Sequence, residues 1–349
     1  MKVYATIRNK ELSEIPALAA RVETLGFDGI SIHELAHDSF LAATMAAEHT
    51  ERITIATDIA LAFPRSPMTL AYIAWDLQRL SSGRFQLGLG SQVKGHIERR
   101  FSTIWGSPKR RLREYSESLR VIWDCWQNGT SLNYHGNQYS FTLMPPEFNP
   151  GPIAHPVIPI SLAAVGPGMC RVAGESFDGV SLHPFSTARY TRDVSLPAIV
   201  EGINKSRYER KSEMIVTGGG FIVTGAREEE VEYRREATRK RIAFYGSTRT
   251  YKRVLDCHGW GETSLRLHEM SLQGRWNDMA NEITETMLED FCISGTYDAI
   301  APRIKERYGS YANRITLDLP TETKDDSKIG ILVEELQKFT EGGIVPAAQ

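Results

Sequence analysis

The chain has 349 residues, 41% of them hydrophobic, and a formal net charge of −2 at neutral pH. This length allows one large barrel or two smaller domains, and one barrel is the simpler interpretation. The near-neutral charge predicts no general attraction to nucleic acid or to an anionic membrane. No run of about 18 apolar residues occurs, and the four cysteines have neither zinc nor Cys-x-x-Cys spacing. The N-terminal residues enter a strand pattern without a signal peptide, so we expect a cytoplasmic protein.

Strand and helix patterns alternate along the chain, which predicts a parallel α/β sheet. The strand patterns cover residues 3–7, 29–32, 53–60, 85–89, 160–164, 179–182, 214–223 and 315–317. The helical patterns cover residues 13–25, 39–49, 68–80, 109–127, 169–176, 228–245 and 299–308. Eight strands is the number that a (β/α)8 TIM barrel needs. We therefore expect one barrel over residues 1–320, with insertions near 97–157 and 247–288, and a C-terminal helix and tail over 321–349.

The segment from residue 80 to residue 96 contains the fourth predicted strand and is the most informative part of the chain. Gly83 fits the C-terminal glycine of a helix, and Gly88 and Gly90 indicate positions where the backbone approaches another group closely. Polar residues follow at the carboxyl end of the strand, where barrels bind ligands; they are Ser91, Gln92, Lys94 and His96.

One heptapeptide pattern occurs twice, at residues 27–33 and 177–183. The two copies lie at the second and sixth predicted strands, half a barrel apart. Strand alternation predicts that the polar residues of both copies face the lumen; they are Ser31, His33, Ser181 and His183. The alternative is an ordinary helix-to-strand entry of an α/β protein.

Three short motifs suggest other functions. His33-Glu-Leu-Ala-His37 matches the HExxH pattern of zinc metallopeptidases, but a strand leads directly into it, whereas that chemistry needs a helix. Residues 88–93 do not match a Rossmann fingerprint, because Val93 stands where a third small residue is required. Residues 90–96 do not match a phosphate loop, because His96 stands where a lysine is required. Gly218-Gly-Gly220 lies in a strand pattern and predicts a bulge or close packing. A zinc metallopeptidase is kept as a remote alternative.

Several segments together resemble the luciferase-like monooxygenase superfamily. These segments are residues 53–68, 80–90, 113–115, 136–141, 158–167, 173–175 and 177–179. The resemblance spans at least residues 1–245, and it is the order and spacing of these motifs that is specific. It implies a luciferase-like TIM barrel with a flavin-type ring at the carboxyl ends of the strands.

Within that superfamily, further residues resemble the branch that depends on coenzyme F420. They are Glu34, His37, Asp38, the run from Phe63 to Met68, Lys94, His96 and the run from Phe244 to Ser247. The resemblance implies an oxidoreductase that transfers a hydride between the deazaflavin ring and a small organic substrate. A reduced-FMN monooxygenase, supplied by a separate reductase, is the alternative. A barrel that binds a cofactor without catalysing a reaction is a remote alternative. The resemblance also implies a homodimer.

The resemblance also implies a set of site residues. A cis peptide bulge would fall near Asp58 and Ile59, with an ordinary trans strand as the alternative. Phosphate of the cofactor would lie at Ala164, Val165 and Gly166, where a helix begins, and His183 could reach the same region. Ser91, Gln92 and Lys94 complete the cofactor-binding set. The candidates for the proton role stay open; they are His33, Glu34, His37, Asp38 and His96.

Two positions depart from the sugar-phosphate dehydrogenases of this family. Where those enzymes have their catalytic His and Glu, this chain has Leu35 and Val93, so neither that acid-base pair nor that substrate is expected here. Basic side chains could pair with an acidic cofactor tail or with an anionic substrate; they are Arg65, Lys94, Arg99 and Arg100.

Overall fold

The computed structural model describes residues 1–210, 212–339, 342 and 344, and its main body is a closed barrel of eight parallel strands. Thirteen strands are numbered along the chain: β1 (Lys2–Ile7), β2 (Gly29–Ile32), β3 (Thr54–Thr57), β4 (Ala60–Leu61), β5 (Phe85–Gly90), β6 (Tyr134–His135), β7 (Ser140–Phe141), β8 (Ile160–Ala164), β9 (Gly179–Leu182), β10 (Ile215–Thr217), β11 (Phe221–Gly225), β12 (Cys292–Thr296) and β13 (Arg314–Asp318). Around the barrel the order is β1, β2, β3, β5, β8, β9, β10 and β13. The β3–β5 pair and the β13–β1 pair complete the ring. The predicted TIM barrel is confirmed.

Fourteen α-helices surround or extend the barrel. They are α1 (Ile15–Thr24), α2 (Ser39–Glu48), α3 (Pro67–Leu80), α4 (Lys94–Arg99), α5 (Pro108–Asn128), α6 (Pro167–Ser176), α7 (Ala188–Tyr190), α8 (Leu196–Lys205), α9 (Glu228–Gly246), α10 (Lys252–Asp256), α11 (Gly261–Leu272), α12 (Glu285–Phe291), α13 (Ala301–Tyr308) and α14 (Asp326–Gln337). In the part of the chain that the structure describes, no helix combines the length and apolar character needed to cross a membrane. Residues 340, 341, 343 and 345–349 of the predicted tail lie outside the described residues.

Helix ends follow local signals in the sequence. Ser66 caps α3 by accepting the Met68 N–H, and Pro67 occupies its first turn. At its far end Gly83 has φ +91° and donates its N–H to the Gln78 carbonyl, which confirms the predicted C-terminal glycine. Arg84 then donates to the Ala47, Thr50 and Ile53 carbonyls, so this arginine ties α2 to the start of β5.

The seventh predicted strand, at 214–223, is wrong as one continuous strand. Only Ile215–Thr217 joins the barrel, and Phe221–Gly225 leaves it to pair in parallel with β12. The break lies at the three glycines: Gly220 has φ +97°, and a methyl group on Gly218 would lie 2.5 Å from the Tyr308 ring. Close packing was therefore the right interpretation of these glycines. Strand β12 had no counterpart in the sequence analysis.

The β11–β12 pair belongs to a second apolar core beside the barrel. Its buried residues include Phe185, Phe221, Leu255, Leu288 and Phe291, which α9 to α12 and the two strands bring together. The barrel core is separate and includes Trp123 and Trp126 of α5. After α5, the antiparallel β6–β7 pair forms a short hairpin.

Candidate functional site

Contacts across the barrel identify the residues that face its lumen. Arg314 of β13 donates to Oε1 of Gln86 on β5, a strand that is not its neighbour, and its guanidinium lies 4.1 Å from the Tyr4 ring centroid. Because side chains alternate along a strand, residues two and four positions further on also face inward. This phase places small or polar residues along the lumen; they are Thr6, Arg8, Gly88, Gly90, Thr316 and Asp318.

The lumen also contains both members of the repeated pattern. Ser31 donates to the Asp58 carboxylate at 2.9 Å, which places Ser31 and the end of β3 on the same inner surface. His33 and His183 lie one residue beyond the ends of β2 and β9, the second and sixth barrel strands, and follow in phase with Ser31 and Ser181. Asp58 lies within electrostatic range of both imidazoles, and His33 lies within range of His183. These contacts agree with the prediction that Ser31, His33 and His183 face the lumen.

Both histidines are neutral over the physiological pH range. Burial, together with the charge of Arg8, lowers the pKa of His33 to about 4, against the opposing charges of Asp58 and Asp318. Burial also lowers the pKa of His183 to about 4, assisted by Arg241. Two uncharged imidazoles therefore lie within electrostatic range of Asp58, and each can donate or accept a hydrogen bond without carrying a charge.

The neutral tautomer of His183 follows from its hydrogen bond. Its Nδ1 accepts the N–H of Phe185 at 2.9 Å, so the ring proton of the neutral form is on Nε2. The ring lies edge-on to Tyr245, with centroids 4.8 Å apart, and 5.0 Å from the Tyr251 ring. His183 thus offers one N–H donor within an aromatic setting.

Glu34 and Asp38 are held by one arginine. Nη1 of Arg65 donates to both Glu34 oxygens at 2.9 Å, and its Nη2 donates to Asp38 at 2.7 Å. Glu34 also accepts the Leu61 N–H at 2.9 Å, and Asp38 caps α2. We name Glu34, Asp38 and Arg65 the carboxylate clamp. Because these bonds occupy both carboxylates, their geometry suits positioning of the β3–β4 backbone better than proton transfer.

The junction between β3 and β4 has the backbone form that the resemblance implied. The Asp58–Ile59 peptide bond is cis, as expected. Beside it, Thr57 Oγ1 exchanges hydrogen bonds with the N–H and carbonyl of Gly88, each at 2.9 Å. A methyl group on Gly88 would lie 2.0 Å from the Thr57 carbonyl oxygen, and one on Gly90 would lie 2.5 Å from Cδ1 of Ile59. The close approach predicted at both glycines is therefore made by the third strand.

The polar residues after β5 form local bonds. Ser91 donates to the Gln92 carbonyl, and Oε1 of Gln92 accepts the Val93 N–H, while Gln92 itself has φ +58°. Lys94 and His96 are exposed on α4, where Lys94 lies 3.8 Å from Glu98. The structure therefore does not bring His96 to the two lumen histidines.

The start of α6 has the features of an anion site. Ala164, Val165 and Gly166 lead into this ten-residue helix. Pro167 has no N–H and the Met169 N–H donates to the Gly166 carbonyl, so Gly168 provides the unpaired N–H of the first turn in the described residues. A methyl group on Gly166 would lie 3.0 Å from Nη1 of Arg253, and one on Gly168 would lie 3.5 Å from Nζ of Lys109. Neither cation forms an ion pair with a carboxylate in the described residues. A phosphate would meet two free cations here as well as the helix terminus.

The HExxH pattern does not form a zinc-protease helix. Residues 33–38 lie in a loop between β2 and α2, and Nε2 of His37 lies 3.8 Å from exposed Glu11. Over residues 1–210, 212–339, 342 and 344, no three His, Cys, Asp or Glu side chains are placed to hold a metal ion. The metallopeptidase hypothesis therefore has no geometric support.

A cleft of about 770 Å³ has Pro184, the residue that follows His183, in its lining, although neither lumen histidine lines it. Arg8, Asp318 and Arg241 line it and are also the groups whose charges act on His33. A second cleft, of about 590 Å³, lies at the opposite end of the barrel around Tyr4 and Arg314. Only the first adjoins the candidate site.

Sequence reasoning missed four charged residues of the site. Arg8 lies two residues after Thr6, and Asp318 lies two residues after Thr316. Strand alternation could therefore have predicted that both side chains face the lumen. Arg241 and Arg253 lie on helices whose packing against the barrel has no short-range signature in the sequence.

Comparison with known proteins agrees with this geometry. The family model for luciferase-like monooxygenases matches residues 1–314, so the chain belongs to the luciferase-like family and is an oxidoreductase in class. An uncharacterised protein of Mycobacterium tuberculosis is 42% identical over 315 residues, covering 90% of this chain and 92% of the relative. The 5,10-methylenetetrahydromethanopterin reductase of Archaeoglobus fulgidus is 27% identical over 325 residues, with the same two coverages.

Solved structures share the fold across the whole chain. The coenzyme F420 dependent tetrahydromethanopterin reductase of Methanopyrus kandleri superposes with a TM-score of 0.77 at 21% identity, covering 97% of this chain and 99% of that one. A type II Baeyer-Villiger monooxygenase of Pseudomonas putida in complex with FMN superposes with a TM-score of 0.61 at 14% identity, covering 98% of each chain. Together the relatives indicate a deazaflavin or flavin cofactor.

Proposed function

We propose that this protein is an F420-dependent oxidoreductase that transfers a hydride between the deazaflavin ring and a small organic substrate. The observation that carries the proposal is the pair of neutral histidines within electrostatic range of Asp58 at the open end of the lumen. The likeness to the coenzyme F420 dependent tetrahydromethanopterin reductase of Methanopyrus kandleri supports F420 over FMN.

The residues present fit such a cofactor at two places. The α6 terminus, with Arg253 and Lys109, would hold a phosphate of its tail. In the lumen, the buried hydroxyl of Thr6 has no hydrogen-bond partner among the described residues, so it could bond to a polar ring edge.

When bound, the ring supplies or accepts the hydride, and an acid or base must exchange the accompanying proton. His33 and His183 are the candidates that the geometry favours. His183 can donate from Nε2, because its Nδ1 already accepts from Phe185. Glu34 and Asp38, which accept from Arg65, would instead hold the backbone at Ile59 and Leu61 in place.

Fluorescence titration of the purified full chain with F420 and with FMN tests the proposal. We expect saturable F420 binding and weaker FMN binding. Tight binding of FMN with none of F420 would refute the proposal and favour a reduced-FMN monooxygenase that depends on a separate reductase.

A matched pair of variants tests the tail site within the same titration. Lys109→Met should weaken F420 binding by roughly tenfold, about 1.4 kcal/mol, because one phosphate contact is lost. The control is Arg110→Met, at the exposed neighbouring residue, which does not face α6. This substitution removes the same charge and should leave the F420 affinity unchanged. Equal affinities for both variants would place the phosphate elsewhere.

A further inference from the structure

Arg241 of α9 is a cation in the site with no charged partner. Within the residues that the structure describes, its side chain forms neither an ion pair nor a hydrogen bond. Its charge nevertheless lowers the pKa of both His33 and His183, so the guanidinium lies within electrostatic range of both imidazoles. It also lines the cleft of about 770 Å³.

Five acidic residues line the same cleft as Arg241, and none of them forms an ion pair with it in the described residues. Asp318 pairs with Arg8 at 3.5 Å, Glu230 with Arg227 at 2.8 Å, and Glu322 with Lys324 at 2.6 Å. The other two, Glu229 and Asp325, form no ion pair with any cation of the described residues. Asp58, further in, accepts from Ser31. The two histidines are neutral and so do not compete for an anion. Arg241 is thus free to bind an incoming carboxylate or phosphate.

Aromatic rings continue from Arg241 towards the lumen. Its guanidinium carbon lies 4.9 Å from the Phe221 ring centroid, and Phe244 and Tyr245 follow it by three and four residues on the same side of α9. Tyr245 lies 6.5 Å from Phe221, 5.6 Å from Phe244 and 4.8 Å from His183, measured between ring centroids. We name Phe221, Phe244 and Tyr245 the aromatic wall. Phe244 is 54% exposed, so the wall runs from solvent to the buried histidine.

We propose that the substrate is an organic anion, with its carboxylate or phosphate on Arg241 and its apolar body on the aromatic wall. This inference rests on the proposed function, since it names the substrate class of the same site. With its anionic group on Arg241, the substrate would extend along the aromatic wall and bring its reacting carbon close to His183. Cofactor phosphate has its own cations at α6, Arg253 and Lys109.

Benzoate and benzyl alcohol serve as probes, because they share a ring and differ in charge. Their binding to the full chain, with and without F420, can be measured by saturation-transfer NMR. Wild-type protein should bind benzoate at least tenfold more tightly than benzyl alcohol. Arg241→Met should lose this preference. The control Lys240→Met removes the same charge from the adjacent, exposed residue and should keep it.

The outcomes separate this inference from the function on which it rests. A benzoate preference that persists in Arg241→Met, or that is absent from the wild type, would overturn the inference. Loss of F420 affinity in Arg241→Met, without competition by benzoate, would also overturn it, because Arg241 would then belong to the cofactor site. If no variant binds F420 but the preference depends on Arg241, the anion site stands and the proposed function fails.

Discussion

Two sides of the barrel opening use their charges in opposite ways. On the β2–β3 side, the carboxylate clamp pairs every charge it contains: Arg65 contacts Glu34 and Asp38, and Glu34 also accepts a backbone N–H. On the α9 side, Arg241 has no ion-pair partner in the described residues and stands beside the aromatic wall. The carboxylate clamp holds the backbone of the β3–β4 junction in place, whereas the guanidinium of Arg241 is available to bind a ligand.

The difference suggests how to divide residues of this site by role. A side chain whose hydrogen bonds are all satisfied within the fold contributes to stability, and its loss leaves partners unpaired. A side chain left unpaired at a cleft contributes little to stability and more to binding. Variants of the two sides should therefore separate into those that change unfolding and those that change ligand affinity.

The largest effect is expected for Arg65→Met. The side chain of Glu34 is 9% exposed and that of Arg65 16% exposed, so removal of the arginine leaves a nearly buried carboxylate uncompensated. The free energy of unfolding should fall by about 3 to 5 kcal/mol, measured by urea denaturation. The control substitution Arg99→Met, at an exposed residue, should change the free energy of unfolding by no more than about 0.5 kcal/mol.

A double variant checks the cause of that loss. Glu34→Gln combined with Arg65→Met removes the uncompensated charge and should be more stable than Arg65→Met alone. If the single variant is as stable as wild type, the clamp does not hold the β3–β4 backbone.

The next effect concerns the two glycines of β5, which face different kinds of neighbour. An alanine at 88 would place its methyl group 2.0 Å from the Thr57 carbonyl, and backbone cannot move easily there; an alanine at 90 would meet the flexible end of Ile59. Gly88→Ala should destabilise the fold by about 3 kcal/mol and Gly90→Ala by about 1 kcal/mol. Guanidinium unfolding curves measure both. Equal losses would mean that β3 yields as readily as a side chain.

The two regions also differ in how far the sequence predicted them. Strand alternation and the repeated pattern placed His33 and His183 in the lumen, because a strand's period of two needs no knowledge of distant residues. Glu34 was a candidate for proton transfer, since its bonds to Arg65 and Leu61, about 30 positions away, are not visible in local spacing.

On the α9 side, the sequence predicted a helix at 228–245 and indicated the run from Phe244 to Ser247, but it gave Arg241 no role. The position of this side depends on β11 leaving the barrel at Gly220 and pairing with β12, and neither event has a periodic signal. The polar run after β5 misled in the opposite direction: Ser91 and Gln92 bond within the turn, and His96 is exposed. Position at a strand's carboxyl end indicates a site, but the bonds that a side chain already makes decide its role.

Acid should reveal the two buried histidines. Their pKa values, about 4 in the folded protein, lie below the value of about 6.5 in an unfolded chain. Between these values the unfolded chain binds more protons, so stability falls as pH drops from about 6.5 to about 4 and is independent of these groups above that window. The slope should reach about 1.4 kcal/mol per pH unit for each histidine. Thermal unfolding from pH 4 to 8 measures it, and His183→Asn should halve the slope; an unchanged slope would contradict the assignment.

The smallest stability effect is expected for Arg241→Met, in contrast with Arg65→Met. At pH 7 its free energy of unfolding should lie within about 0.5 kcal/mol of wild type, because no ion pair or hydrogen bond within the described residues is lost. Below pH 6.5 a second effect appears. The charge of Arg241 lowers the pKa of His33 and His183, so its removal should raise both values, as NMR titration of the imidazole protons can show. A higher pKa in the folded protein narrows the window of proton uptake on unfolding, so the variant should lose less stability in acid than wild type. A large loss at pH 7 would instead mean that Arg241, like Arg65, is held by partners within the fold, and the contrast between the two sides would disappear.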